Sequence, residues 1–320
     1  MSKSLPKGEF ELISWIRRNQ GDDPSGGVLV GIGDDCAIVD FSPESFVLVT
    51  TDMLMDGRHF RLKDDGPEAV GYKAMGVNIS DIAAMAGSPR FAVVSVALPR
   101  ADAVAVAKGL HGGLKRMADR FGVVMVGGDT NAWDGPLVVS VTLLGEPTMA
   151  GAATRSGARA GDVILVPGPL GGSLFNGRHL RPEPRIAEAL ALAEAASPNA
   201  MIDVSDGLAS DLGHILEESG GVGAELDADA IPIHPDAVEQ SKSYGVPPLE
   251  HALHDGEDFE LCLTVAPDRA DALLASPPPG VQLFRIGEIT AAPGLRLRTA
   301  DGRSIPIEPR GFDHLAGANQ

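Results

Sequence analysis

Short apolar runs rich in β-branched residues recur along the chain, at 28–32 (VLVGI), 46–50 (FVLVT), 91–98 (FAVVSVAL), 123–126 (VVMV) and 137–144 (LVVSVTLL). Runs of this length and composition predict strands. Between them, 67–87 and 101–122 carry apolar residues at three- and four-residue spacing and end at glycine, which predicts two long helices. A Gly- and Ala-rich passage at 149–162 then breaks the periodicity and reads as a linker, dividing the chain into domains at 1–148 and 149–320. The alternation resumes with a strand at VILVP, a Gly-rich turn, a helix over 184–196, the stretch MIDVSDGLASDLGHI (201–215), and strands near 222–226, 259–265 and 281–287. The pattern predicts two α/β (α+β) domains. The proline-containing pieces at 276–280 and 291–294 read as surface turns.

Carboxylates recur where these runs end. VLVGIGDD delivers Asp34 and Asp35, FVLVTTD delivers Asp52, VVMVGGD delivers Asp129, and AMIDVSD delivers Asp203 and Asp206. The helix at 67–87 adds Asn78 and Asp81, three apart and so on one face of an Ala-rich segment. Any one such Asp is ordinarily a helix cap or turn former, and the 203–207 cluster taken alone reads as capping. Repetition at five places points instead to convergence. Clustered carboxylates repel one another unless cations accompany them, and hard divalent ions such as Mg²⁺ take oxygen ligands and bridge to phosphates. The glycines of GIGDD, GGDT and SDG let backbone approach a ligand closely.

Charge and composition narrow the partners. A formal net charge of −18 over 320 residues argues against nucleic acid or an anionic membrane surface. Two cysteines, Cys36 and Cys262, far apart in sequence, give no disulfide framework, and no stretch reaches the roughly 18 apolar residues of a membrane span. A cytoplasmic protein is expected. The chain contains no G-x-x-x-x-G-K-[ST] loop, no G-x-G-x-x-G opening and no protein-kinase elements. If it handles ATP, a carboxylate and metal platform does so rather than a lysine loop.

In order along the chain, GEFELI, GIGDDCAIV, TTDMLMDGRHF, YKAMGVNISDIAAMAGSP, VGGDT, TRSGARAGD, IDVSDGLASDLGHI and DGEDFEL resemble the thiamine-monophosphate kinase family. That family belongs to the superfamily of aminoimidazole ribonucleotide synthetase and selenophosphate synthetase. The resemblance implies a two-domain aminoimidazole ribonucleotide synthetase-like fold, dimerisation through N-terminal strands, and ATP-dependent phosphorylation of thiamine monophosphate to thiamine diphosphate. It further implies that Asp35, Thr50, Thr51, Asp52, Asp81, Asp129, Asp203 and Asp206 hold several Mg²⁺ ions. Gly128, Asp129, Arg155 and Ser205 would contact ATP, and His59 and Glu257 the thiamine phosphate. No side chain is expected to act as an obligatory acid or base; Asp52, Asp81 and Asp129 serve as platform.

Three departures bear on the acceptor. The 168–185 region is short, Pro309 stands where the family commonly has a ring-stacking aromatic residue, and Asp255 replaces a frequent glycine. These features keep open another ATP-dependent phosphotransferase or ligase of the superfamily with a different acceptor, and a nucleotide-binding protein without turnover.

Overall fold

A computed structural model describes residues 28–30, 34–42, 45–149 and 151–308. In the N-terminal half β1 (Val28–Val30), β2 (Ala37–Ser42), β3 (Ser45–Met55), β4 (Gly87–Pro99), β5 (Val124–Trp133) and β6 (Val138–Pro147) form one sheet in the order β1-β2-β3-β6-β4-β5. Helices α1 (Leu62–Ala84) and α2 (Ala103–Phe121) cover one face. Only β4 and β5, joined through α2, pair in parallel; their neighbours pair antiparallel.

Strand alternation sorts β3 into two sets. Leu48, Thr50 and Leu54 are buried on the helix side, whereas Thr51, Met53 and Met55 are exposed on the other. That second face also exposes Phe91 and Val93 of β4, so an apolar surface lies open. Strand β2 was not anticipated, because AIVDFS interrupts its apolar run with Asp40.

Helix α1 is broken at Gly66, where φ is 77 and ψ 154, and restarts on Pro67, whose fixed φ suits a first turn. It then crosses α2 at contact distance between backbones. A Cβ placed on Gly113 would stand 1.9 Å from the Glu68 carbonyl oxygen, and one on Gly71 would stand 2.1 Å from that of Leu110. Gly113→Ala is therefore expected to force the helices apart and to destabilise the protein by about 1–3 kcal/mol, read from urea unfolding. An unchanged midpoint would show that the crossing adjusts freely.

In the C-terminal half β7 (Val163–Val166), β8 (Ala200–Asp203), β9 (Gly223–Asp227), β10 (Leu261–Val265), β11 (Phe284–Thr290), β12 (Gly294–Arg298) and β13 (Ser304–Pro306) build a second sheet in the order β13-β12-β9-β11-β7-β10-β8. Helices α3 (Ile186–Ala196) and α7 (Pro267–Ala275) pack on one face; α4 (Leu208–Glu218) and α6 (Pro248–His254) pack on the other, with α5 (Pro235–Tyr244) beside α6. The segment at 291–294, expected as a surface turn only, opens β12 at Gly294, which runs parallel to β9. The short 168–185 region carries a single 3₁₀ turn, Arg178–Leu180, and lies against α1 closely enough that a Cβ on Gly76 would meet Pro182 Cγ at 2.5 Å. The two halves also share cores. Phe259, just ahead of β10, belongs to the N-terminal cluster, and Ala83 and Ala86 belong to the cluster under α3 and α7.

Candidate active site

The middle of β3, the C-terminal turns of α1 and the end of β8 meet between the halves. Thr50 and Asp52 point from β3 toward α1, where the Thr50 hydroxyl donates to Asp81 Oδ2 at 2.5 Å. From the preceding helix position, Ser80 donates to Asp203 Oδ2 at 2.5 Å. Asp35 enters from the segment between β1 and β2, and oxygens of Asp35, Asp81 and Asp203 lie within 4.8 Å of one another. These residues come together because α1 presents Ser80 and Asp81 to two different strand ends at once.

Burial in like company makes the cluster reluctant to ionise. Burial, then Asp52, Asp203 and Asp35, hold Asp81 well above the usual carboxylate range. Burial and Asp35 do the same to Asp203. Asp52 is pushed up to about 6, chiefly by burial, with its hydrogen bond to Asp81 opposing and Asp35 adding. Asp34 rises to about 7 through burial and Asp35, although the N–H groups of Asp35 and Arg155 donate to it. The cation at hand is Arg155, whose Nε and Nη2 donate to the two oxygens of Asp35 at 2.9 and 2.8 Å. The donors are all hard oxygens, which fits Mg²⁺ and excludes a thiolate site.

A second group adjoins the first. Oxygens or ring nitrogens of Asp206, Asp211 and His214 lie within 4.8 Å of one another. Asp211 was not among the expected site residues, yet its Oδ2 accepts the N–H groups of Asp206 and Gly207, both at 3.0 Å. The capping expected of the 203–207 cluster thus comes from within α4: the N-cap is Gly207, without a side-chain cap of its own.

Other expected residues stand apart from the cluster within one chain. Thr51 faces the open side of the sheet, bonded to the Val141 oxygen and the Thr142 hydroxyl, each at 3.1 Å. Asp129 pairs with Ser95 on β5, exposed, and accepts from its neighbours Thr130 and Asn131. Gly128 pairs with Val94, and a Cβ there would meet the Val94 oxygen at 1.9 Å. Through β4 and β6 the Gly128 row reaches Asp52 three strands away, about 14 Å at the usual strand spacing. On the helix side of the sheet, opposite the face that carries Asp129, Leu98, Ala103, Val104, Ala107, Lys108, His111 and Thr130 line an apolar pocket of about 380 Å³. No feature of the sequence pattern marked it, since its walls are ordinary helix and strand positions.

His59, Glu257 and Ser205 lie around the same cleft. The His59 Nδ1 accepts the Met55 N–H at 3.0 Å, and the Ser205 oxygen accepts the Glu257 N–H at 2.6 Å. Joining them is a residue that sequence reasoning missed, Lys73 of α1, which donates to Glu257 and to the His59 backbone. Pro309 lies outside the described residues.

Residues 33–146 match the family model of the AIR synthase related protein, N-terminal domain, and residues 159–300 match that of its C-terminal domain. The thiamine-monophosphate kinase of Rhodopirellula baltica is 41% identical over 325 residues, spanning 97% of this chain and 100% of that relative. That of Bacillus subtilis is 35% identical over 332 residues, spanning 96% and 99%. The solved structure of AaThiL complexed with AMPPCP and TMP aligns with a TM-score of 0.82 at 33% identity, covering 98% of this chain and 99% of that one. With both domain models matched and relatives of this likeness along nearly its whole length, the chain belongs to the thiamine-monophosphate kinase family.

Proposed function

We propose that this chain transfers the γ-phosphoryl group of ATP to the phosphate of thiamine monophosphate, releasing thiamine diphosphate and ADP. An oxygen of the acceptor phosphate forms the new bond to phosphorus while the bond to the β–γ bridging oxygen breaks, and ADP leaves with that electron pair. The attacking oxygen is already ionised near neutral pH, so no general base is needed. What remains for the chain is alignment and charge neutralisation. The observation that carries this reading is the convergence of Asp35, Asp81 and Asp203 at one point of the cleft, beside Arg155.

Several Mg²⁺ ions would supply the positive charge between carboxylates and phosphates when bound. Asp35, Thr50, Asp52, Asp81 and Asp203 hold them, and Asp206, supported by Asp211, extends the platform. Arg155 exchanges its hold on Asp35 for a phosphate oxygen, a role suited to its planar fork. His59 and Glu257 receive the thiamine end.

The chain works as a homodimer in the cytoplasm. The open sheet face, with Met53, Met55, Phe91 and Val93 exposed, is apolar enough to be covered by a second copy. Thr51 and Asp129 share that face, so their ligand roles belong to the dimer. Both cysteines are unpaired, and among the described residues no helix is long and apolar enough to cross a membrane.

Purified protein incubated with ATP, Mg²⁺ and thiamine monophosphate is expected to yield thiamine diphosphate and ADP in equal amounts by mass spectrometry. ADP without thiamine diphosphate would move the acceptor elsewhere, and binding of ATP with neither product would remove the enzymatic reading.

A further inference from the structure

Lys73 is fully buried, and its ammonium donates to both carboxylate oxygens of Glu257, at 2.7 and 2.8 Å, and to the backbone oxygen of His59 at 2.7 Å. Those three bonds use every proton the ammonium has. Its partners come from opposite sides of the cleft. His59 lies in the turn after β3, and Glu257 in the segment ahead of β10.

That segment has an unusual backbone. Glu257 and Phe259 take φ values of 62 and 54, the left-handed region that residues with a Cβ avoid and that persists only where surroundings impose it. Here successive side chains are drawn in opposite directions. Glu257 crosses to Lys73. Asp258 turns back into its own half, accepting the Gly171 N–H and an Arg178 N–H, each at 2.7 Å. Phe259 crosses again, into the N-terminal core. Backbone bonds from Glu257 to the Ser205 oxygen and from Phe259 to the Val204 oxygen, at 2.6 and 2.8 Å, stitch the segment to the end of β8.

We propose that Lys73 is a positioning residue of the acceptor site, which sets the spacing between His59 and the Glu257 carboxylate. The assignment rests on thiamine monophosphate contacting those two residues, as proposed above. Lys73 itself touches no substrate, because it is buried and its donors are all engaged. Asp81 follows eight residues later on the same helix, about 12 Å along the axis at 1.5 Å per residue. One rigid element therefore spaces the acceptor contacts from the carboxylate platform.

Thiamine diphosphate formation by the unaltered protein is measured first, since its absence would remove the acceptor reading and leave Lys73 aside. Lys73→Met is then expected to raise KM for thiamine monophosphate by about tenfold to a hundredfold while KM for ATP stays within about twofold, as for a displaced substrate contact. Lys73→Arg, which keeps the charge, gives the smaller rise. A lysine that only supports the fold would lower the amount of active enzyme and leave both KM values alone, and that result overturns the proposal. Leaving the half-buried Glu257 carboxylate without its partner can weaken folding, so Glu257→Gln and the double variant Lys73→Met/Glu257→Gln complete the cycle. The double variant is expected to match Glu257→Gln in KM for thiamine monophosphate within about threefold, because Lys73 acts mainly through that carboxylate. Increases that multiply across the two positions would overturn it.

Discussion

Asp81→Asn is expected to lower turnover by on the order of 10²–10³-fold, the scale seen when one preorganised electrostatic group is removed from a reacting centre. Asp81 is the residue that the other members of the cluster share: it accepts from Thr50 and stands close to Asp52, Asp203 and Asp35. On the proposed reading, removing its charge would take away a metal ligand. The same substitution is expected to raise the melting temperature of the metal-free protein by a few degrees at pH 8, because it deletes one of several converging negative charges while an amide oxygen can still accept the Thr50 hydroxyl. Loss of activity with gain of metal-free stability separates a ligand from a core support. Unchanged turnover, or a lowered metal-free melting temperature, would count against the platform.

The second large effect is on stability against pH without metal. An aspartate whose folded-state pKa lies above its unfolded value of 3.8 binds more protons when folded, so folding loses stability as pH rises through the folded value. Asp52 reaches about 6 and Asp34 about 7, with Asp81 and Asp203 also displaced upward, all chiefly by burial. His214 works the other way, since burial lowers it to about 4 and its contribution grows with pH up to about 6.5. In chelator, unfolding free energy is therefore expected to fall from about pH 4 to about pH 7, the span between the unfolded value and those of Asp52 and Asp34, by on the order of several kcal/mol for the group as a whole. Millimolar Mg²⁺ is expected to flatten or reverse the slope, because bound cations favour the ionised carboxylates. Denaturant titrations at a series of pH values, with and without Mg²⁺, read both. A flat metal-free profile would mean that neither burial nor the neighbouring carboxylates displace these groups.

Which of these features showed in the sequence follows from the range of the signal. Asp35, Asp52 and Asp203 were legible because each follows closely on an apolar run, although only Asp203 ends its strand: β3 continues three residues past Asp52, and Asp35 lies between β1 and β2. The pairing of Asp81 with that set was legible from its place within an otherwise apolar helix. Lys73 was not, since a lysine in a helix ordinarily faces water and its carboxylate partner lies 184 residues away. Asp211, one turn into its helix, reads equally as a remote ligand or as helix surface and was left out of the expected site, although its carboxylate is buried against the first turn. Asp129 marks the opposite limit: the strand was expected to end at 126 with Asp129 in the turn beyond it, whereas β5 runs on to Trp133, and which face receives the side chain depends on the irregularity in the β4–β5 register between Ala92 and Val93.

The exchange of Phe259 for Ala83 and Ala86 between the two cores has a mechanical meaning. A jaw-like opening would have to pull each half's apolar residues out of the other, so the cleft behaves as a fixed gauge rather than a clamp. On the proposed reading, ligands would enter it by small rearrangements such as the release of Arg155 from Asp35, and the fold rather than closure would set the distance between donor and acceptor phosphates.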